Sequence, residues 1–175
     1  MDGDGFSSAI SASLMETRLE RWEQLYREVG PAVLGYFRRQ PALASAAEDL
    51  LQDTFLRAYK RSDWEEAPVS QRAYLFGIAR HVGIDALRRR RPSEELAPEA
   101  AAPVVVEDGR LEPMRLAIDA LPVAQRETLL LKLQQNLSYE EIAAVLDIPV
   151  GTVRSRLHHA VRRLRDALNP EPDLP

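Results

Sequence analysis

The 175-residue sequence predicts an all-α protein built as two small helical domains joined by a flexible linker. Three observations predict it. Apolar residues recur at helical spacing, and no stretch keeps the period of a strand. Residues that start or stop helices stand where those periodic stretches begin and end. Between them, residues 92–112 carry prolines and acids with no period at all, too long a connection for the inside of one compact domain. The expected boundaries are a tail over 1–15, a first domain over 16–91, the linker over 92–112, a second domain over 113–169 and a tail over 170–175.

In chain order, ETRLERWEQLYREVGPAVLGYFRRQ (16–40) reads as a helix, a break at Gly30-Pro31, and a helix resumed with Pro31 in its first turn. Leu19, Trp22, Leu25, Tyr26 and Val29 give the first piece its apolar stripe. Ser45 is placed to cap the next helix, with Glu48 three residues on as in a capping box. Leu51, Phe55, Ala58 and Tyr59 form the stripe of that helix. SDWEEAPVS breaks the period, and Ser70 caps a helix from about Gln71 to Arg90. In the second domain Met114–Leu121 forms a short helix and Pro122 begins VAQRETLLLKLQQ. Asn136 ends that helix, because asparagine tolerates the left-handed backbone found there. Ser138 and Glu141 make a capping box for SYEEIAAVL. Asp147-Ile148 turns the chain, and Pro149 opens the last helix.

Composition narrows the function. The chain has no cysteine, which excludes disulfides, thiolate metal sites and a cysteine nucleophile. Its N-terminus lacks a basic region followed by an apolar run, and no apolar run is long enough to span a bilayer. A soluble, cytoplasmic protein without membrane insertion is expected. The formal net charge of −4 is unevenly spread. Residues 16–91 hold 14 Lys/Arg against 11 Asp/Glu, and residues 113–169 hold 8 against 6. The acidity lies in the linker and tails, so both periodic segments are mildly basic.

The last helix, VGTVRSRLHHAVRRLRDAL, concentrates five arginines. At about 100° per residue, Val150, Val153, Leu157, Ala160, Val161, Leu164 and Leu168 share a core face. Gly151, Ser155, His159 and Arg162 lie opposite, flanked by Thr152, His158 and Arg163, with Arg154 and Arg156 at the borders. An arginine-rich helix face is commonly just solvated surface. Here a capped short helix, a turn of about four residues and a proline-led second helix precede it, which describes a helix-turn-helix. The second helix of such a unit enters the DNA major groove. Arginine there can pair with guanine, serine or threonine can reach either base type, and further arginines neutralise phosphate. His158 and His159 are adjacent on the helix and point about 100° apart, so they do not form a metal-binding pair. No nucleophile elbow, phosphate loop or dinucleotide fingerprint is present, and neither a catalytic group nor a cofactor is expected.

In the first domain, Glu48, Asp49, Gln52 and Asp53 share a polar helix face suited to a basic partner or to solvent. Trp64, Tyr74 and Phe76 precede the basic run Arg88–Arg91. Aromatic rings beside cations suit single-stranded DNA, since bases stack on rings while cations follow the backbone; core packing is the other reading, and the stronger one for Phe76.

AEDLLQDTFLRAY, AYLFGIARHVGIDALRRRR and LPVAQRETLLLKLQQNLSYEEIAAVLDIPVGTVRSRLHHAVRRLRDAL, in that order, resemble an extracytoplasmic-function (ECF) sigma factor of the sigma-70 family. The resemblance covers about residues 16–168. It implies a non-enzymatic subunit that gives bacterial RNA polymerase its promoter specificity. Core polymerase would bind through Glu48, Asp49, Gln52, Asp53 and Arg57. The melted minus-10 strand would lie on Trp64, Tyr74, Arg80, His81 and Arg88, with the loop 62–70 helping to hold an extruded base. Minus-35 DNA would be read by Thr152, Arg154, Ser155, His158, His159 and Arg162. The implied partners are core RNA polymerase, promoter DNA and an anti-sigma factor. Four places depart from the family's usual residues: His81 stands for asparagine, Tyr74 for tryptophan, Glu65-Glu66 for an Arg-Gly pair, and His159 for arginine. The competing class is a stand-alone helix-turn-helix regulator that dimerises through its N-terminal helices.

Overall fold

The computed structural model describes residues 4–61, 63–67, 69–90 and 112–169. Among them there are eight α-helices and no strand: α1 (Asp4–Arg38), α2 (Pro41–Ala44), α3 (Ala47–Arg61), α4 (Gln71–Arg90), α5 (Glu112–Asp119), α6 (Val123–Gln135), α7 (Tyr139–Leu146) and α8 (Val150–Leu168). A single 3-10 turn, Trp64–Glu66, lies between α3 and α4. Most of the expected linker lies outside the described residues; its last residue, Glu112, already begins α5.

Three expectations for the N-terminal helices are corrected. The break at Gly30-Pro31 does not occur, and α1 runs through it. Proline lacks the N–H that would bond to the carbonyl four residues back. Pro31 sits on the exposed side of α1, where water can take up the freed carbonyl. The same helix starts at Asp4, so most of the expected tail is its first turns. Ser45 is not an extended N-cap: its backbone is helical (φ −68°, ψ −18°) and closes α2, and α3 starts at Ala47. Glu48 bonds the Arg38 guanidinium at 2.9 Å.

The first core forms where α1, α3 and α4 meet. Leu25, Val29, Val33 and Phe37 recur along α1 and are buried together with Leu50, Leu51 and Phe55 of α3 and Leu75, Ile78 and Val82 of α4. Each such side chain contributes about 1.5–3 kcal/mol by leaving water. Gly83 lets α2 approach α4, since a Cβ there would stand 3.2 Å from Leu43 Cδ1. Ser70 caps α4 as expected, accepting the Ala73 N–H at 3.0 Å.

The second core gathers Ile118, Leu129, Ile142, Val145, Val153, Leu157 and Ala160 from α5–α8. Asn136 ends α6 in the left-handed region (φ 50°), as its chemistry predicts. Asp147 does the same after α7 (φ 54°) and so sets the turn into α8. The capping box is complete: Glu141 N–H donates to Ser138 Oγ at 3.1 Å, and Ser138 N–H donates to Glu141 Oε2 at 2.7 Å. Ser138→Ala removes one half of it and is expected to cost about 1 kcal/mol, read as a lower urea midpoint with an unchanged slope.

Candidate nucleic-acid and polymerase interfaces

The helix-turn-helix is built from the inside out. Val153, Leu157, Ala160 and Leu164 of α8 are buried and fix its rotation against the domain. Arg154, Ser155, His158, His159 and Arg162 are thereby turned outward, and Thr152 lies half-buried beside them. One residue departs from the wheel: Val161, expected on the core face, is 47% exposed. It lies at the edge of the apolar stripe, to one side of the buried Val153, Leu157, Ala160 and Leu164. The His158 and His159 rings meet edge to face with centroids 5.5 Å apart. Over its first three turns the outward face carries donors and cations in Thr152, Arg154, Ser155, His158 and His159, which is what a major groove accepts.

On α3, Glu48, Asp49 and Gln52 are exposed on one face, with Asp53 partly so. Arg57 binds Asp53 at 3.0 Å and Asp85 of α4 at 3.0 Å, which ties the two helices together. Its hydrogen bonds to Asp53 and then Asp85 hold its pKa above the ordinary arginine value. Arg57 therefore positions the acidic face through Asp53.

The five residues expected on the minus-10 strand separate. Trp64 is corrected: it is 0% exposed and packs on Trp22 with ring centroids 4.9 Å apart, so its indole belongs to the core. The sequence could not distinguish this, because a loop tryptophan beside acids suits either role. Tyr74 and His81 line one cleft of about 230 Å³ together with Val69, Ala73 and Ile78. The Tyr74 hydroxyl donates to Asp63 Oδ1 at 2.5 Å; burial and then this bond raise its pKa. His81 Nδ1 lies 2.8 Å from the Gly77 carbonyl. A carbonyl only accepts, so Nδ1 carries the hydrogen and Nε2 of the neutral ring is left as an acceptor. Arg88 is exposed near the end of α4. Arg80 instead reaches the second domain and binds Glu127 of α6 at 2.7 Å. Burial works against the Arg80 charge, but the Glu127 bond and charge outweigh it and its pKa is raised.

That bond belongs to a set the sequence does not announce. Ser70 Oγ donates to Glu141 Oε1 at 2.5 Å, and Arg72 donates to the Gln135 carbonyl at 3.3 Å. Tyr36 of α1 lies within the field of Glu127; burial first, and then that carboxylate, push its phenol up to about 12. Ala144 of α7 forms part of the wall of the Tyr74–His81 cleft. Partners separated by the linker share no helical register, so no spacing rule could have paired them.

Glu141 carries a pH signature. Desolvation would raise its pKa, but the hydroxyl and backbone donors from Ser70 and Ser138 prevail and lower it. A carboxylate with a depressed folded-state pKa adds stability that is fully present above the ordinary carboxylate range and lost as pH falls through the depressed value. The gap in melting temperature between the parent and Glu141→Gln should therefore be largest at neutral pH and close on acidification.

Comparison with known proteins agrees with this layout. The sigma-70 region 2 family model matches residues 25–93, and the sigma-70 region 4 family model matches residues 111–164. The ECF RNA polymerase sigma factor SigE of Mycolicibacterium smegmatis is 34% identical over 93% of this chain and 67% of its own length. SigC of Mycobacterium tuberculosis is 41% identical over 73% of this chain and 72% of its own. Among solved structures, the sigma factor RpoE from Bartonella quintana, in complex with the anti-sigma factor NepR, has a TM-score of 0.64 at 27% identity, covering 87% of this chain and 99% of that one. CnrH in complex with the cytosolic domain of CnrY has a TM-score of 0.62 at 26% identity, covering 87% and 90%. The chain belongs to the sigma-70 family of RNA polymerase sigma factors, in its ECF group. It is a factor of promoter-specific transcription initiation, and the stand-alone regulator is not favoured. Among the described residues, no helix is long and apolar enough to cross a membrane.

Proposed function

We propose that this sigma factor docks on core RNA polymerase through Glu48, Asp49, Gln52 and Asp53 of α3, with Arg57 holding Asp53 in place. Thr152, Arg154, Ser155, His158, His159 and Arg162 read minus-35 DNA in the major groove. The cleft walled by Tyr74 and His81 takes an extruded base of the minus-10 strand, and Arg88 follows its backbone. The observation that carries this reading is the outward polar and cationic face of α8, held by a buried apolar stripe and a capped partner helix. The polymerase supplies the catalytic groups and the sigma factor supplies none. It acts in the cytoplasm. Each surface alone makes few contacts, and joining them through polymerase provides avidity. An anti-sigma factor is the proposed antagonist, by similarity to relatives solved with such partners.

The test is capture of core polymerase by the tagged full-length chain. Asp49→Arg, at an exposed site, is expected to lower capture at least tenfold while leaving the melting temperature unchanged, since like charge at an interface is strongly unfavourable. Undiminished capture overturns the α3 assignment.

A further inference from the structure

We propose that the Tyr74–His81 cleft selects the extruded base by its exocyclic group: His81 accepts a hydrogen bond from the amine of cytosine or adenine and disfavours the carbonyl that thymine or guanine carries at the same place. The inference deepens the assignment of the cleft made above and rests on it.

The helix itself fixes the hydrogen-bonding role that His81 can play. Its Nδ1 lies 2.8 Å from the Gly77 carbonyl, one turn back along α4. The carbonyl accepts, so Nδ1 donates, and Nε2 of the neutral ring presents a lone pair and no hydrogen. The same bond restrains the ring. His81 is exposed, so a strand entering the cleft can reach Nε2. The other polar side chains of the cleft are engaged. Ser70 Oγ accepts from the Ala73 N–H and donates to Glu141 Oε1. The Tyr74 hydroxyl donates to Asp63 Oδ1 at 2.5 Å and accepts from Arg61, which holds its ring as a fixed wall. Among the described side chains that line the cleft, His81 Nε2 is the acceptor left without a partner.

Arg61 keeps further N–H groups at the Tyr74 end of the cleft. His81 lies two turns beyond Tyr74 on the same helix, about 10 Å along its axis. The cleft therefore asks for an acceptor at one end and a donor at the other. The C4 group of a pyrimidine and the C6 group of a purine are the polar groups that project away from the sugar. They are amines in cytosine and adenine and carbonyls in thymine and guanine. An amine facing Nε2 makes a hydrogen bond, whereas a carbonyl there sets two lone pairs against each other and leaves both unsatisfied. Thymine and guanine also carry a ring N–H, but it stands beside that carbonyl, so Nε2 meets the two together.

The test uses the full-length chain assembled with core polymerase at about pH 8, where an ordinary imidazole is neutral. A randomised single-stranded DNA library is bound, and the bound fraction is sequenced. The parent is expected to show a position at which cytosine and adenine are enriched about tenfold over thymine and guanine. Uracil in place of cytosine there, or hypoxanthine in place of adenine, exchanges the amine for a carbonyl and keeps the shape. Either should bind about tenfold more weakly. His81→Ala should flatten that position and leave the others. His81→Lys, which can only donate, should reverse its preference, an outcome that lost packing cannot produce. An amine preference that survives both His81 substitutions overturns the selection, as does a parent that binds carbonyl bases there equally well. Tyr74→Ala separates that failure from failure of the cleft assignment. If it flattens a position that both His81 variants leave intact, the cleft takes a base and His81 does not select it. If neither Tyr74→Ala nor the His81 variants alter the profile at any position, the cleft takes no base, and the selection falls with that assignment.

Discussion

Trp64→Ala is expected to destabilise the first domain by about 3–5 kcal/mol, the cost of truncating a large buried aromatic. Trp64→Phe should recover most of the loss. The indole is 0% exposed, and it packs on Trp22, which in turn meets Phe55 and Tyr59 with ring centroids 5.5 and 5.3 Å apart. The adjoining Glu65 bonds Arg21 of α1 at 3.0 Å and lies 3.7 Å from Arg18, so the turn is fastened over its own tryptophan. The indole N–H has no acceptor among the described residues. Phenylalanine therefore forfeits volume but no hydrogen bond. The chain's two tryptophans both lie in this cluster, so urea unfolding followed by intrinsic fluorescence of the parent reports this domain. For the variants, far-UV circular dichroism gives the midpoint without depending on the deleted ring. If Trp64 stacked on DNA bases instead, Trp64→Ala would keep the parent midpoint and lose only single-strand affinity.

The same residue shows how far the sequence reaches. Helices declare themselves through period and caps, and Ser70, Asn136 and the Ser138–Glu141 box stand where their local chemistry puts them. The recognition face of α8 is similarly legible, because a helix wheel needs only 3.6 residues per turn and an apolar stripe. Pro31 fails as a local signal because the packing of Val29, Val33 and Phe37 on one continuous face outweighs one missing hydrogen bond. Ser45 fails because Pro41 starts a separate short helix just before it. Trp64 fails because burial of an aromatic in an irregular segment depends on what packs over it. Arg80 and Glu127 meet across a linker with no register, so their pairing lies beyond any pattern read along the chain.

Arg154→Ala is expected to lower promoter-directed transcription by reconstituted holoenzyme about 10- to 100-fold. That is the range for losing one bidentate contact to a base, about 1–3 kcal/mol. Arg154 lies within the first two turns of α8, the part of a recognition helix that reaches base edges, and it is exposed beside Ser155. Val153 is fully buried, so the rotation that presents Arg154 is fixed before DNA arrives. Removing an exposed side chain should leave the unfolding free energy within about 0.5 kcal/mol of the parent, and capture of core polymerase unchanged. Arg163→Ala gives the contrast. It lies two turns further on, where contact with phosphate is expected, so it should weaken binding to all sequences alike and reduce the salt dependence by about one counterion. If Arg154→Ala weakened every promoter equally and changed the salt slope in the same way as Arg163→Ala, Arg154 would be a phosphate contact, and base reading would have to pass to Ser155, His158 or His159.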